Sequence, residues 1–187
     1  MGFDFVVISG GKAMRGPQSA GLLMGKKDIV AAARMHMPPR GFNIGRGMKV
    51  NKEEMLGMLV ALELYLQRDH AAERQSWDQQ VETITRAVRA VRSVSWEVDV
   101  PPVANNTPHL KIRWDRDVVR ITPPEVRKQL LDGEPSIEVT PSTNERELVM
   151  TVWMLQPGEA EIVAKRLAAI LSAAAGTGAD APRGGRA

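Results

Sequence analysis

Ser9, Gly10, Gly11 and Lys12 are the residues whose types and spacing best suit covalent chemistry in this chain. They follow a short apolar run, Phe3 to Ile8, whose aromatic and β-branched content predicts a strand buried on both faces. A lysine just past such a strand sits at a rim, half out of water. Desolvation there disfavours the ammonium and lowers its pKa, which suits a nucleophilic amine or a Schiff base. By residue type alone the opposite case is strong. A lysine after Gly-Gly is in most chains a solvated loop residue, and two glycines do not define a phosphate site.

The wider pattern says more. Ser9 to Asp28 reads S-G-G-K-x-x-R-G-P-Q-S-x-G-L-L-x-G-K-K-D, and Gly45 to Glu54 reads G-R-x-M-K-V-x-K-E-E. The first segment resembles the cofactor-lysine segment of fold-type I pyridoxal-phosphate enzymes. The branch is the selenocysteine synthase (L-seryl-tRNA(Sec) selenium transferase)-related family, which includes D-glucosaminate-6-phosphate ammonia-lyase-like proteins. The resemblance implies pyridoxal 5'-phosphate as cofactor, carried by Lys12 as a Schiff base. It gives Ser9, Gly10 and Gly11 to cofactor binding, Ser9 through the phosphate. The second segment resembles a stretch with two basic residues three apart, which are arginines in selenocysteine synthase. Arg46 matches the first. Lys49 departs from the second and loses the bidentate grip of a guanidinium. With Arg15, these residues would bind a small anionic amino-acid substrate. The reaction implied is α,β-elimination by a lyase or transferase. The alternatives are selenium transfer to seryl-tRNA, which the Lys49 departure disfavours, and a non-catalytic remnant or interaction module.

Three kinds of element must position these groups. Gly21 to Gly25 predicts a second short strand and Lys26 to His36 a helix, ended by Met37-Pro38-Pro39. Arg40 to Val50 is a glycine-punctuated loop holding Arg40, Arg46 and Lys49. Lys52 to Asp69 predicts an amphipathic helix with a stripe of Met55, Leu59, Leu62 and Leu66, with Met58 and Tyr65 beside them, opened by Asn51 with Glu54 as its reciprocal cap. A second helix, Ala71 to Arg92, has a stripe of Trp77, Val81, Ile84, Val88 and Val91. Its other face carries Glu82, Arg86, Arg89 and Arg92 and reads as solvated.

From Val94 the apolar period changes to two. Strands are predicted over Val94 to Val100, Leu110 to Trp114, Ile137 to Thr140 and Glu147 to Met154. A helix opens at Thr122-Pro123 and ends near Leu131. A last helix opens at Gln156-Pro157-Gly158-Glu159, and its sequence L-Q-P-G-E-x-E-I-V-A-x-R-L also resembles the family's C-terminus. The fold class expected is α/β. Residues 1–69 would be the C-terminal part of a cofactor-binding large domain. Residues 70–172 would be a linking helix and small α+β domain, and 173–187 a disordered tail. Relatives of the family are roughly twice this length, so a fragment, a late start or a split gene is expected, with oligomeric assembly implied by the resemblance.

Composition narrows the rest. The 187 residues contain no cysteine, which excludes disulfides, thiolate metal sites and a cysteine nucleophile. His36, His70 and His109 lack metal-ligand spacing. The formal charge of +3 is mild and its cations are scattered, so nucleic-acid binding is not indicated. No apolar run approaches the ~18 residues of a membrane span, and a cytoplasmic protein is expected.

Overall fold

A computed structural model describes residues 2–39, 41–102, 106–141 and 145–176. Arg40 and the tail from 177 onward, each given a place in the sequence reading, lie outside them. The chain divides into two compact units, Met1–Asp69 and His70–Ala187.

In the first unit, β1 (Phe5–Ser9) and β2 (Gly21–Gly25) form a two-stranded sheet. They run antiparallel, with Phe5 opposite Gly25 and Ser9 opposite Gly21. This corrects the expectation of a parallel strand buried on both faces. The link from residue 10 to 20 lacks the helix and the length, roughly a dozen residues or more, that a parallel crossover requires. The chain therefore returns beside itself. β1 is largely exposed, Val7 by 68%. Helix α1 (Lys27–Met35), a 3-10 helix (Ile44–Gly47) and α2 (Lys52–Gln67) complete the unit.

The predicted stripe on α2 is also corrected. Met58 and Ala61 are its buried residues, while Met55, Leu59 and Leu66 are exposed. Apolar side chains surround this helix on nearly every side, so periodicity cannot select the face that packs.

The second unit holds α3 (His70–Val88), β3 (Val94–Asp99), β4 (His109–Trp114), α4 (Pro123–Leu131), β5 (Leu148–Thr151) and α5 (Glu159–Gly176). The three strands pair antiparallel in the order β3-β4-β5. Alternation puts Leu110, Ile112 and Trp114 of central β4 inward. There they join Val81, Ile84 and Val88 of α3, Val126 and Leu130 of α4, and Val163, Leu167 and Leu171 of α5 in one core. The Trp114 indole N–H donates to the Ile121 carbonyl at 2.8 Å, satisfying its buried donor. On the other face, Arg113 joins Glu97 and Glu147, and Lys111 joins Asp99. α4 opens as predicted, with the Thr122 N–H and hydroxyl both donating to Glu125.

Two predictions fail here. Ile137 to Thr140 is not a strand. The Ile137 N–H caps the end of α4 by donating to the Leu130 carbonyl, and Thr140 alone bridges to Val149. Residues 173–176 do not begin a tail, since they continue α5. Alanines are strong helix formers, and the sequence alone does not show that the helix goes on. Among the described residues no helix is long and apolar enough to cross a membrane.

Candidate active site

The turn from Gly10 to Ala20 is built from short, specific contacts. The Gly10 N–H donates to the Ala20 carbonyl (2.9 Å), the Gly16 N–H to the Gly10 carbonyl (2.8 Å), and the Arg15 N–H to the Lys12 carbonyl (2.8 Å). The Gln18 side-chain amide donates to the Gly11 carbonyl at 3.3 Å. Arg15 closes the inner turn at φ 57°, a left-handed conformation rare for a residue with a side chain.

Helix α2 lies under this turn and runs antiparallel to it, as four contacts show. Near the C-terminal end of α2, Arg68 Nη1 donates to the Ala13 carbonyl at 3.2 Å. In the middle, a Cβ on Gly16 would stand 3.0 Å from Ala61 Cβ and 3.1 Å from Met58 Sδ, and Gly57 faces Pro17. At the N-terminal end, the Ser19 hydroxyl donates to Glu54, whose second oxygen accepts from the Asn51 N–H at 3.1 Å. The Ser19 hydroxyl, then the Asn51 amide, hold the Glu54 carboxyl below its ordinary range.

Glycine is required where the turn meets the helix. A Cβ on Gly10 would collide with the Met58 sulfur and stand 2.7 Å from the Ala20 carbonyl oxygen. A Cβ on Gly11 would stand 2.5 Å from Gln18 Oε1.

The structure thus brings Ser9, Gly10, Gly11, Lys12 and Arg15 together at the end of β1. Lys12 is exposed, which corrects the half-buried rim expected from the sequence, because the strand before it is itself mostly exposed. The amides of Gly11, Lys12 and Ala13 donate no hydrogen bond among the described residues, which leaves three N–H groups in the chain just after Ser9. Arg46 lies in the 3-10 helix and Lys49 in the segment before α2, both exposed. No hydrogen bond or ion pair among the described residues ties either one to the turn. Sequence reasoning missed Met58, Ala61 and Arg68 as supports. Gly57 and Ala61 four apart, with Met58 between, were the available sign of a close approach to one face of α2.

The second unit has a groove of about 400 Å³ lined by Arg127, Lys128, Glu145 and Glu147 among others. It contains none of the predicted site residues. No group of His, Asp or Glu among the described residues could hold a metal ion.

No family model matches the chain. It is 27% identical over 179 residues to D-glucosaminate-6-phosphate ammonia lyase of Salmonella typhimurium (strain 14028s / SGSC 2262), covering 93% of this chain and 45% of that protein. It is 38% identical over 85 residues to a 5'-C-glycyluridine monooxygenase-decarboxylase of Streptomyces sp, covering 46% of this chain and 19% of that protein. Among solved structures, D-glucosaminate-6-phosphate ammonia-lyase superposes with a TM-score of 0.66 at 25% identity, over 93% of this chain and 45% of its own. SepCysS, solved in complex with the SepCysE N-terminal domain, gives 0.52 at 15% identity over 91% of this chain and 46% of its own, a likeness of fold alone. The chain spans less than half the length of the curated relatives it matches. The match bears out the resemblance carried by the lysine segment. By sequence and by mixed α/β fold, this chain is a homologue of D-glucosaminate-6-phosphate ammonia-lyase across almost all of its own length.

Proposed function

We propose that the chain is the C-terminal portion of a pyridoxal-phosphate-dependent lyase or transferase, with Lys12 as the cofactor's attachment point. The observation that supports it most is the turn itself, where three N–H groups that donate no hydrogen bond among the described residues and a serine share one short segment with an exposed lysine. That set fits a phosphate and an aldehyde on the same small molecule. Residues 1–69 are then the end of the cofactor domain, and residues 70–176 the linking helix and small domain.

When bound, the cofactor supplies an electron sink for charge developing at the substrate α-carbon. The remaining work falls to protein groups. Ser9 and the Gly11 to Ala13 amides hold the phosphate. The Lys12 amine takes the α-proton, and the leaving group departs from the β-carbon with its bonding pair. Arg46, Lys49 and Arg15 hold the anionic group of the amino-acid substrate. Lysine in the second basic position favours a point-charge contact over a bidentate one.

Apolar faces of the first unit support the incomplete reading. Phe5 and Val7 of β1, and Leu56 and Leu64 of α2, are exposed. In the complete enzyme they would be covered by the sequence that relatives have and this chain does not match. A second reading, a non-catalytic interaction module, draws on these same faces and predicts a silent Lys12.

Spectrophotometric titration with pyridoxal phosphate separates the two. A saturable band shifted to longer wavelength than free pyridoxal phosphate is expected with the natural chain, and only the spectrum of the free aldehyde with Lys12→Ala. Equal spectra from both proteins reject Lys12 as the attachment point.

A further inference from the structure

We propose that Arg68 is a positioning residue for Lys12, fixing the direction in which its amine leaves the turn. The inference rests on the reading of Lys12 as the attachment point.

The turn meets α2 at three levels, and they do different jobs. Met58 and Ala61 press on Gly10 and Gly16 and set the height of the turn. Glu54 holds Ser19, on the returning limb. Arg68 bonds the Ala13 carbonyl, in the Ala13–Met14 peptide, one beyond the peptide that joins Lys12 to Ala13. That peptide lies inside the inner turn closed by the Arg15 N–H and the Lys12 carbonyl. Freeing it would loosen ψ of Ala13 and φ of Met14, and with them the bond from the Arg15 N–H to the Lys12 carbonyl that closes the turn. A carbonyl held from outside therefore steadies the peptide on which the Lys12 side chain stands.

Arg68 is itself held for this task. It follows the last turn of α2, with its N–H donating to the Tyr65 carbonyl at 3.3 Å. Its guanidinium lies 5.6 Å from the Tyr65 ring centroid. A planar guanidinium can rest on a ring and still direct one N–H outward, and it loses little freedom on forming that bond. Helix, ring and carbonyl together give Arg68 a fixed reach. Lys26, at the far end of the hairpin and paired with Asp4, shares none of these contacts and serves as an internal reference.

The test uses the 187-residue chain, its Arg68→Met variant, which removes the donor, and Arg68→Lys, which keeps one. Amide hydrogen exchange reads the turn. The Arg15 amide is expected to exchange several-fold faster in Arg68→Met, with the β1–β2 amides unchanged. Limiting pyridoxal phosphate with borohydride, followed by peptide mapping, reads the lysine. The Lys12-to-Lys26 labelling ratio should fall several-fold in Arg68→Met, its pH midpoint should move, and Arg68→Lys should restore most of both.

Unchanged Arg15 exchange overturns the proposal, whatever the labelling does. Faster exchange with an unchanged labelling ratio and pH midpoint also overturns it, because the turn is then held without steering the amine. A natural chain whose Lys12 is labelled no faster than Lys26 defeats the attachment-point reading instead, and the exchange result still reports on the Arg68 contact.

Discussion

Gly10 lies where α2 leaves no room for a side chain. Alanine there must displace the Met58 sulfur or the Ala20 carbonyl. Overpacking of this kind costs roughly 1–3 kcal/mol. Gly10→Ala is expected to lower the urea midpoint of the first unit by a corresponding amount. Gly41→Ala and Gly47→Ala meet nothing within 4 Å and should stay within about 0.5 kcal/mol of the natural chain. If all three behave alike, the contact between turn and helix is wrong. The residues proposed to bear the chemistry were legible as a group because they are contiguous: one segment supplies Ser9, Gly10, Gly11, Lys12 and Arg15. Arg68 was not legible, because 55 residues separate it from Ala13 and no local pattern links the two.

Helix α2 is the element that supports the candidate site, and its N-terminus gives it a pH dependence. The folded pKa of Glu54 lies below its ordinary value of 4.5, through the Ser19 hydroxyl and then the Asn51 amide. A lowered carboxyl contributes stability that is present above the ordinary pKa and lost as pH falls through the folded one. Protection of the amides in segment 16–20, compared with segment 94–99, should therefore weaken on acidification below 4.5. Glu54→Gln should remove that dependence, and a dependence that survives it contradicts the assignment.

Elements with one apolar face were readable from period alone. The stripe on α3 and the alternation on β4 predicted Val81, Ile84, Val88, Leu110 and Ile112 as core, and all five are buried. α2 was not readable, since it is apolar almost all round. Ile137 to Thr140 failed for a different reason: a helix end competed for its amide, and tertiary partners are invisible to periodicity.

The two units differ in how much of their apolar surface they bury. The second has one continuous core, in which Leu110, Ile112, Leu167 and Leu171 are fully buried. Leu110→Ala should cost about 2–5 kcal/mol there, measured as the shift in its denaturant midpoint. The first keeps much of β1 and α2 exposed. Amides of β4 and α5 should accordingly be more protected than those of β1. The same exposure, with the 45% coverage of the ammonia lyase, leads the account to expect no turnover by the purified 187-residue chain alone.

The claim on which the rest depends is that one amine, at the crest of the turn after β1, carries the cofactor. Reduction with borohydride in the presence of pyridoxal phosphate, followed by mass mapping of the modified peptides, tests it directly. The account predicts that the label concentrates at Lys12. A label spread evenly over the lysines, or concentrated at any other, contradicts it.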